Sequence, residues 1–255
     1  MGAKTALLAF VDGDIRPALS GATRAARSEV EELVRQVHPG YLVEPDDDGT
    51  TLDDGVYPPD DVTNATVLAG AELITDRRLV IDRPSELPHH LLAMGAGRRI
   101  IMHGMHSVVD WLCFAVWEDG RLIRSLSLSP NSGIIENIGE PYEFERPYWA
   151  GEHPVEPVPG WPSDDDPYPL PFHPLELGEE ALRALFGFVL EGRAQPDDVD
   201  AEEVHLHSFR VTDPSGAEQA EREAAYARAR EAMGPPRIFR MGPDGRMQEV
   251  GLDSL

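Results

Sequence analysis

The segment from His106 to Ser129 constrains the fold more than any other part of the chain, because it reads as two strands joined by a tight turn. The β-branched and aromatic run VVDWLCFAVW precedes Asp119-Gly120, and the alternating run RLIRSLSLS follows it. Asp-Gly is typical of a two-residue type I′ turn, in which both residues take positive φ. The sequence therefore predicts a central β-hairpin over residues 106–129.

The predicted turn also fixes a register for the hairpin. Counting outward from Asp119-Gly120 pairs Glu118 with Arg121, Cys113 with Leu126, and Trp111 with Leu128. Successive side chains in a strand point to opposite faces. One face of the hairpin is then expected to hold Trp111, Cys113, Ala115, Trp117, Leu122, Leu126 and Leu128, with Arg124 as its only charged residue.

Strand and helix patterns follow one another along the rest of the chain. Residues 4–11, 65–74, 98–103 and 203–211 read as further strands, and residues 44–61 as a solvated acidic loop. Two amphipathic helices are predicted, one over 179–191 and one that ends at Val37 after a capping box of Ser28 and Glu31. These patterns predict an α+β fold with a mainly antiparallel or mixed sheet and helices packed on it.

Two parts of this organisation are expected to differ from the rest. Residues 148–174 are rich in proline and lack periodicity, which predicts an irregular connection within a single α+β domain spanning residues 1–211. Residues 212–255 are predicted to form a C-terminal extension with one surface helix and a small hairpin.

Composition excludes several classes of function. The formal net charge of −24 opposes binding to nucleic acid or to anionic membrane surfaces, and no basic run offsets it. The single cysteine, Cys113, lies in an apolar run, so an intrachain disulfide is impossible and a buried thiol is expected. With no long apolar segment, we expect a cytoplasmic protein.

The hairpin contains one candidate catalytic group. His106 and Asp110 are expected on one face, with Ser127 and Ser129 across from them, which permits a Ser/His/Asp grouping built from His106, Asp110 and Ser129. The simpler interpretation is a polar, partly wet end of the sheet. His103 and His106 are three residues apart and point to opposite faces of a strand, so they are not expected to bind one metal together.

Asp12 and Asp14 form a second candidate, because they follow a buried strand and carboxylates at a strand end suit Mg²⁺. Turns are also composed of aspartate and glycine, so an ordinary turn explains the same residues without any cofactor. In the proline-rich connection, Trp149, Glu152, His153 and His173 could line a binding pocket. The alternative there is a packed aromatic cover.

Three long motifs, HSVVDW…VWEDGRLIRSLSLSPNSGIIENIGEP, PYWAGEHPV and YPLPFHPLELGEEALRALFGFVLEG, resemble an actinobacterial family of the Streptomyces type that is defined only as a domain of unknown function. The resemblance extends to about residue 211 and implies a cytoplasmic bacterial protein without an assigned activity. The sequence thus favours a non-enzymatic binding or regulatory module with a protein or small-molecule partner. A divalent-metal-dependent hydrolase or phosphoryl-transfer enzyme, using Asp12/Asp14 or His106/Asp110, is the alternative.

Overall fold

One antiparallel sheet of ten strands, covered by helices on both faces, confirms the α+β prediction. The computed structural model describes residues 2–46, 49–156, 168–233, 238–241 and 247–250. The strands are Lys4–Val11 (β1), Leu42–Pro45 (β2), Thr50–Thr51 (β3), Val62–Leu68 (β4), Ala71–Asp76 (β5), Arg99–His106 (β6), Trp111–Glu118 (β7), Arg121–Ser129 (β8), Gly133–Ile138 (β9), His205–Thr212 (β10), Ile238–Met241 (β11) and Met247–Val250 (β12). The α-helices are Arg16–Ser20 (α1), Arg27–Val37 (α2), Leu52–Gly55 (α3), His89–Met94 (α4), Arg146–Trp149 (α5), Pro174–Phe186 (α6) and Ala217–Met233 (α7).

The chain divides into two compact units, Met1–Thr212 and Asp213–Leu255. In the first unit the strand order is β2-β10-β4-β5-β1-β6-β7-β8-β9, and β3 adds to β10. The second unit contains α7 and the antiparallel pair β11 and β12. None of the helices in the described ranges is long and apolar enough to cross a membrane.

Each face of the large sheet has its own hydrophobic core. On the first face, α6 lies over β6 and β7 and contributes Leu177, Leu182 and Phe186. On the second face, α2 and α4 cover the sheet, and the predicted apolar stripe of α2 is buried as expected. The central strands are therefore buried on both sides, which leaves their polar side chains without access to water.

The Asp-Gly turn forms as predicted, with φ of 51° at Asp119 and 73° at Gly120. The predicted register holds only next to the turn, where Glu118 pairs with Arg121 and Trp117 with Leu122. A β-bulge then leaves Ile123 without a partner, so that Val116 pairs with Arg124. This extra residue reverses the faces of β8 beyond the bulge.

The predicted face assignment of β8 is therefore wrong beyond the bulge. Leu126 pairs with Phe114 and joins the core beneath α6, together with Leu128. Ser125 and Ser127 face the opposite side, beside Ala115 and Cys113. Cys113 itself is a buried free thiol, as expected, and burial raises its pKa.

Several predicted boundaries also change. The acidic stretch 44–61 is not only loop, because it contains β3 and α3 and buries Leu52 and Val56 in the first core. Helix α6 begins at Pro174 and ends at Phe186, because Gly187, with φ of 89°, terminates it before the predicted Gly192. Helix α2 begins after Ala26 with no side-chain cap, so the predicted capping box does not form.

Arg124 is the largest fully buried side chain among the described residues, and Glu145 pairs with it inside the first core. Its guanidinium donates to Glu145 through Nε at 2.9 Å and through Nη2 at 2.5 Å, and both side chains are 0% exposed. Nη1 donates to Asn137 Oδ1 at 2.6 Å and to the Ile138 carbonyl at 2.9 Å. The bulge that brings Arg124 to this face thus depends on Glu145 for charge compensation.

We expect Glu145→Gln to lower the free energy of unfolding by about 3 kcal/mol, because it leaves the Arg124 charge buried without a counter-charge. Glu143→Gln is the matched control, since Glu143 pairs with Arg146 while 92% exposed, and we expect it to cost less than about 0.5 kcal/mol. Urea unfolding at pH 7 measures both variants. Equal stabilities would contradict a stabilising role for the buried pair.

Candidate functional site

Asp12 and Asp14 serve two separate local interactions. Asp12 Oδ1 accepts from Arg98 Nε at 2.8 Å, and the same guanidinium donates to Glu72 Oε2 at 2.7 Å. Asp14 Oδ1 accepts the backbone N–H of Arg16 at 3.0 Å, in the turn before α1. Within the described ranges, no group of three or more His, Cys, Asp or Glu side chains is placed to hold a metal ion.

The His106, Asp110 and Ser129 candidates lie in different surroundings. His106 contacts the ring of Tyr57, and burial, followed by the charge of Lys4, lowers its pKa. Asp110 lies in the turn after β6 with φ of 47°, and its Oδ2 is 3.7 Å from Nε2 of His173. Ser129 Oγ accepts the backbone N–H of Ser132 at 3.2 Å. The structure therefore places Asp110 beside His173, which is a candidate from the proline-rich connection.

The aromatic candidates pack around the start of α6. Trp149 meets Phe172 edge-on with ring centroids 5.0 Å apart, and its Nε1 donates to Glu145 at 3.3 Å. His153 stacks on Tyr148 at 4.2 Å, next to the exposed Glu152.

His173 caps α6, because its Nδ1 accepts the backbone N–H of Leu175 at 3.3 Å. Together with Trp149 and His153 it belongs to an aromatic layer over the first core. Trp161, in the same proline-rich connection, lies outside the described residues.

His103 is fully buried between β1 and α6. Its Nδ1 lies 2.8 Å from the Thr5 hydroxyl, and its Nε2 lies 3.0 Å from the Gly178 carbonyl. The carbonyl accepts only, so Nε2 donates and Nδ1 accepts from Thr5. A Cβ at position 178 would lie 2.6 Å from Met105 Sδ, so glycine permits this close approach of α6. His103 therefore holds the helix on the sheet and is not exposed to a substrate.

A second constellation, which the sequence analysis did not identify, lies on the other side of the sheet, where α2, β5 and α4 meet. It surrounds a cavity of about 250 Å³. The floor contains Asp76 and His38, which are 1% and 7% exposed. The cavity is lined by Val37, His38, Pro39, Tyr41, Asp76, Arg78, Leu79, Pro88, His90 and Leu91. Most of its walls are apolar, and its polar groups converge at one point.

Asp76, the last residue of β5, organises these polar groups. Its Oδ1 accepts the backbone N–H of Arg78 at 2.7 Å, and Arg78 Nη1 donates to Oδ2 at 3.1 Å. The Thr63 hydroxyl donates to Oδ2, and His38 Nε2 lies 3.1 Å from the same oxygen. Thr63 is opposite Asp76 in the β4–β5 register, so strand pairing places them together.

The charge of Asp76 is stabilised within the cluster. Burial alone would raise its pKa, but hydrogen bonding and charge interaction with His38, followed by the charge of Arg78, lower it below the ordinary value. Asp76 is therefore ionised at neutral pH and only accepts hydrogen bonds.

Aromatic and helical contacts hold the histidines of this cavity in place. The His38 ring stacks on Tyr41 with centroids 5.6 Å apart, and the Arg78 guanidinium lies 5.5 Å from the same Tyr41 ring. His90, at the start of α4, places Nε2 2.9 Å from the Val37 carbonyl. The end of α2 is thereby joined to both β5 and α4.

Local sequence patterns do not indicate this cluster, because its members come from separate segments. His38-Pro39-Gly40 reads as a helix stop, and Asp76 reads as a residue in a turn after a strand. The available signal was a carboxylate at the end of an apolar strand, followed two residues later by Arg78. Only the pairing of β4 with β5 connects Asp76 to Thr63.

The protein has an α+β fold in which a few polar groups are set in a mostly apolar pocket. Residues 5–209 match the family of unknown function DUF6928, and the chain belongs to this family. Neither the curated proteins nor the solved structures contain a match to the chain.

We expect acidification to destabilise the protein through His103. Burial lowers its pKa from 6.5 to about 4, so the folded state favours the neutral ring. This contribution is complete above pH 6.5 and is lost as the pH falls to 4, with a loss of about 3 kcal/mol. Urea unfolding of wild type and His103→Leu at pH 7 and pH 4 measures this contribution. We expect the free energy of unfolding to fall further in wild type than in the variant over this range.

The exposed His89 provides the control for this comparison. His89→Leu is expected to keep the full pH dependence of the wild type. Identical pH profiles for wild type and His103→Leu would show that His103 does not titrate in this way.

Proposed function

We propose that the protein is a non-enzymatic, cytoplasmic binding or regulatory module of a bacterium, and that it takes a small molecule into the cavity between α2, β5 and α4. The observation that carries this proposal is the convergence of His38, Asp76 and Arg78 at the floor of a cavity with mostly apolar walls. A few fixed polar groups in an apolar pocket orient a ligand, while the walls supply affinity.

The hydrogen bonding of the cluster favours binding over nucleophilic chemistry. The Thr63 hydroxyl lies 2.9 Å from His38, but it is fully buried and donates its proton to Asp76. A nucleophilic hydroxyl must face the substrate, and the buried Thr63 does not. The cluster is therefore built to hold His38 in one position within the cavity wall.

Small aromatic probes test the cavity. We expect indole to bind with a Kd of about 1 mM, because a ligand of this size in an apolar pocket gains only a few kcal/mol. ¹H–¹⁵N spectra should show shifts at Tyr41, Leu79 and Leu91. Leu79→Phe, which fills the cavity, should abolish them, whereas Val80→Phe at the neighbouring exposed position should retain them. Shifts confined to other regions would contradict the proposal.

The alternative is a divalent-metal-dependent hydrolase or phosphoryl-transfer enzyme that uses Asp12/Asp14 or His106/Asp110. A cation at Asp12 would have to displace Arg98, which joins Asp12 to Glu72. At the second site, Asp110 is paired with His173. These pairings favour the binding module.

We expect Mg²⁺ to leave the Tm within about 1 °C of the value in NaCl of equal ionic strength, since a ligand raises the Tm only if it binds the native state selectively. Thermal unfolding at 5 mM added salt, roughly the range for weak cation sites, measures this. A rise with Mg²⁺ that disappears in Asp12→Asn would support the metal enzyme instead.

A further inference from the structure

We infer that Lys4, Arg77 and His106 form a binding site for a small oxyanion, the carboxylate or phosphate group of a small molecule. The three basic side chains gather around the ring of Tyr57 at one end of the large sheet. None of these four residues lines the cavity between α2, β5 and α4, so the inference does not depend on the function proposed for that cavity.

Strand pairing brings the basic side chains together. Lys4 is directly opposite His106 in the β1–β6 register, and directly paired residues share a face of the sheet. Arg77 follows the last residue of β5, which is the other neighbour of β1. The His106 ring meets Tyr57 edge-on, with ring centroids 5.7 Å apart. Three adjacent strands therefore deliver the three residues to one place.

The ring of Tyr57 positions both permanent cations. Lys4 Nζ lies 5.7 Å from the ring centroid, and the guanidinium carbon of Arg77 lies 4.5 Å from it. A cation–π contact holds a charge in place but does not neutralise it. Lys4, Tyr57, Arg77 and His106 are each partly exposed, so an ion in solution can reach the site.

The local charge is positive, although acidic residues outnumber basic residues by 46 to 22 in the whole chain. Within the described ranges Lys4 forms no ion pair, whereas Arg77 Nη1 pairs with Asp60 Oδ1 at 2.9 Å. Burial lowers the pKa of His106, and the charges of Lys4 and Arg77 lower it further, as expected in a positive field. The site thus has a cation without a counter-charge.

Arg77 also keeps capacity to donate. A guanidinium has five N–H donors, and the hydrogen bond that Arg77 makes within the described chain uses Nη1 alone. Its Nε has no hydrogen-bond partner there. Water could accept from such donors, but water would leave the charge of Lys4 uncompensated. An anionic oxygen accepts the strongest hydrogen bonds from a guanidinium and supplies the missing charge.

The net charge of −24 restricts the ligand to a small ion. The long-range field of the protein repels anions, so negative groups that extend beyond Lys4 and Arg77 weaken binding. A single carboxylate or phosphate group stays within the reach of the site, whereas a polyanion does not. We expect a Kd of about 1 mM for such a group.

Two simple ions test the site and distinguish its ligands. Sodium phosphate and sodium acetate are titrated at pH 7, each against NaCl of equal ionic strength. ¹H–¹⁵N spectra should show saturable shifts at Tyr57, Arg77 and His106 with at least one of the two ions, and the tighter ion identifies the phosphate or the carboxylate class. The inference is wrong if neither ion shifts these residues, or if NaCl shifts them equally.

Lys4→Met tests the uncompensated charge, because methionine keeps an apolar stem and removes the ammonium group. We expect the affinity for the tighter ion to fall about tenfold, as for the loss of one charge-assisted hydrogen bond. Arg121→Met is the matched control. It removes one positive charge at the exposed turn, at the opposite end of β7 from His106, and should keep the wild-type affinity. Equal losses in both variants would show a general charge effect and overturn the site.

The His106 ring provides a readout in wild type, which decides the matter even if Lys4→Met does not fold. A bound anion stabilises the imidazolium, so the tighter ion at saturation should raise the pKa of His106. The charged and titratable groups around this ring are Lys4, Tyr57 and Arg77, with Asp60 paired to Arg77. Ring ¹H shifts measured against pH, with His106→Gln for assignment, give this pKa. An unchanged value at saturation would place the ion elsewhere and overturn the inference.

Discussion

Burial of the large sheet on both faces is the constraint from which the other features follow. Charged and imidazole side chains in its central strands cannot reach water, so a buried charge or ring nitrogen there is costly unless a group in the covering layer pairs with it. Arg124 has Glu145 beneath α6, and His103 has Thr5 and the Gly178 carbonyl. On the opposite face, Glu136 accepts from Ser85 and Ser125. These pairs fix which helix lies over which strand.

The polar cluster of His38, Thr63, Asp76 and Arg78 follows the same rule at the end of β5. Asp76 is nearly as buried as Glu145, with 1% against 0% exposed, but its partners come from three elements that do not close completely over it. The incomplete closure leaves His38 held rigidly at the border between the core and the cavity. Fixed polar groups at such a border cost no reorganisation when a ligand arrives, which is why we place binding there.

Local patterns predicted the fold class, the Asp-Gly turn and the buried stripe of α2, because each depends on residues close in sequence. The face assignment of β8 was wrong because no local pattern marks the bulge at Ile123, and Glu145, which receives Arg124 on the reversed face, lies 21 residues further along the chain. The end of α6 was misplaced because both Gly187 and Gly192 are suitable C-caps, and only packing selects between them. The site was missed because strand register, which joins Asp76 to Thr63, is not visible in any single segment.

The bulge in β8 also determines how this hairpin tolerates changes in length. Loss of Ile123 would remove the one unpaired residue and leave Val116 opposite Arg124 and Phe114 opposite Leu126. Directly paired residues share a face of the sheet, so Leu126 and Leu128 would still point towards α6. Ile123 is thus a position at which β8 can lose a residue without turning over, whereas pairing it with Val116 at full length would place Ser125 and Ser127 against the helix.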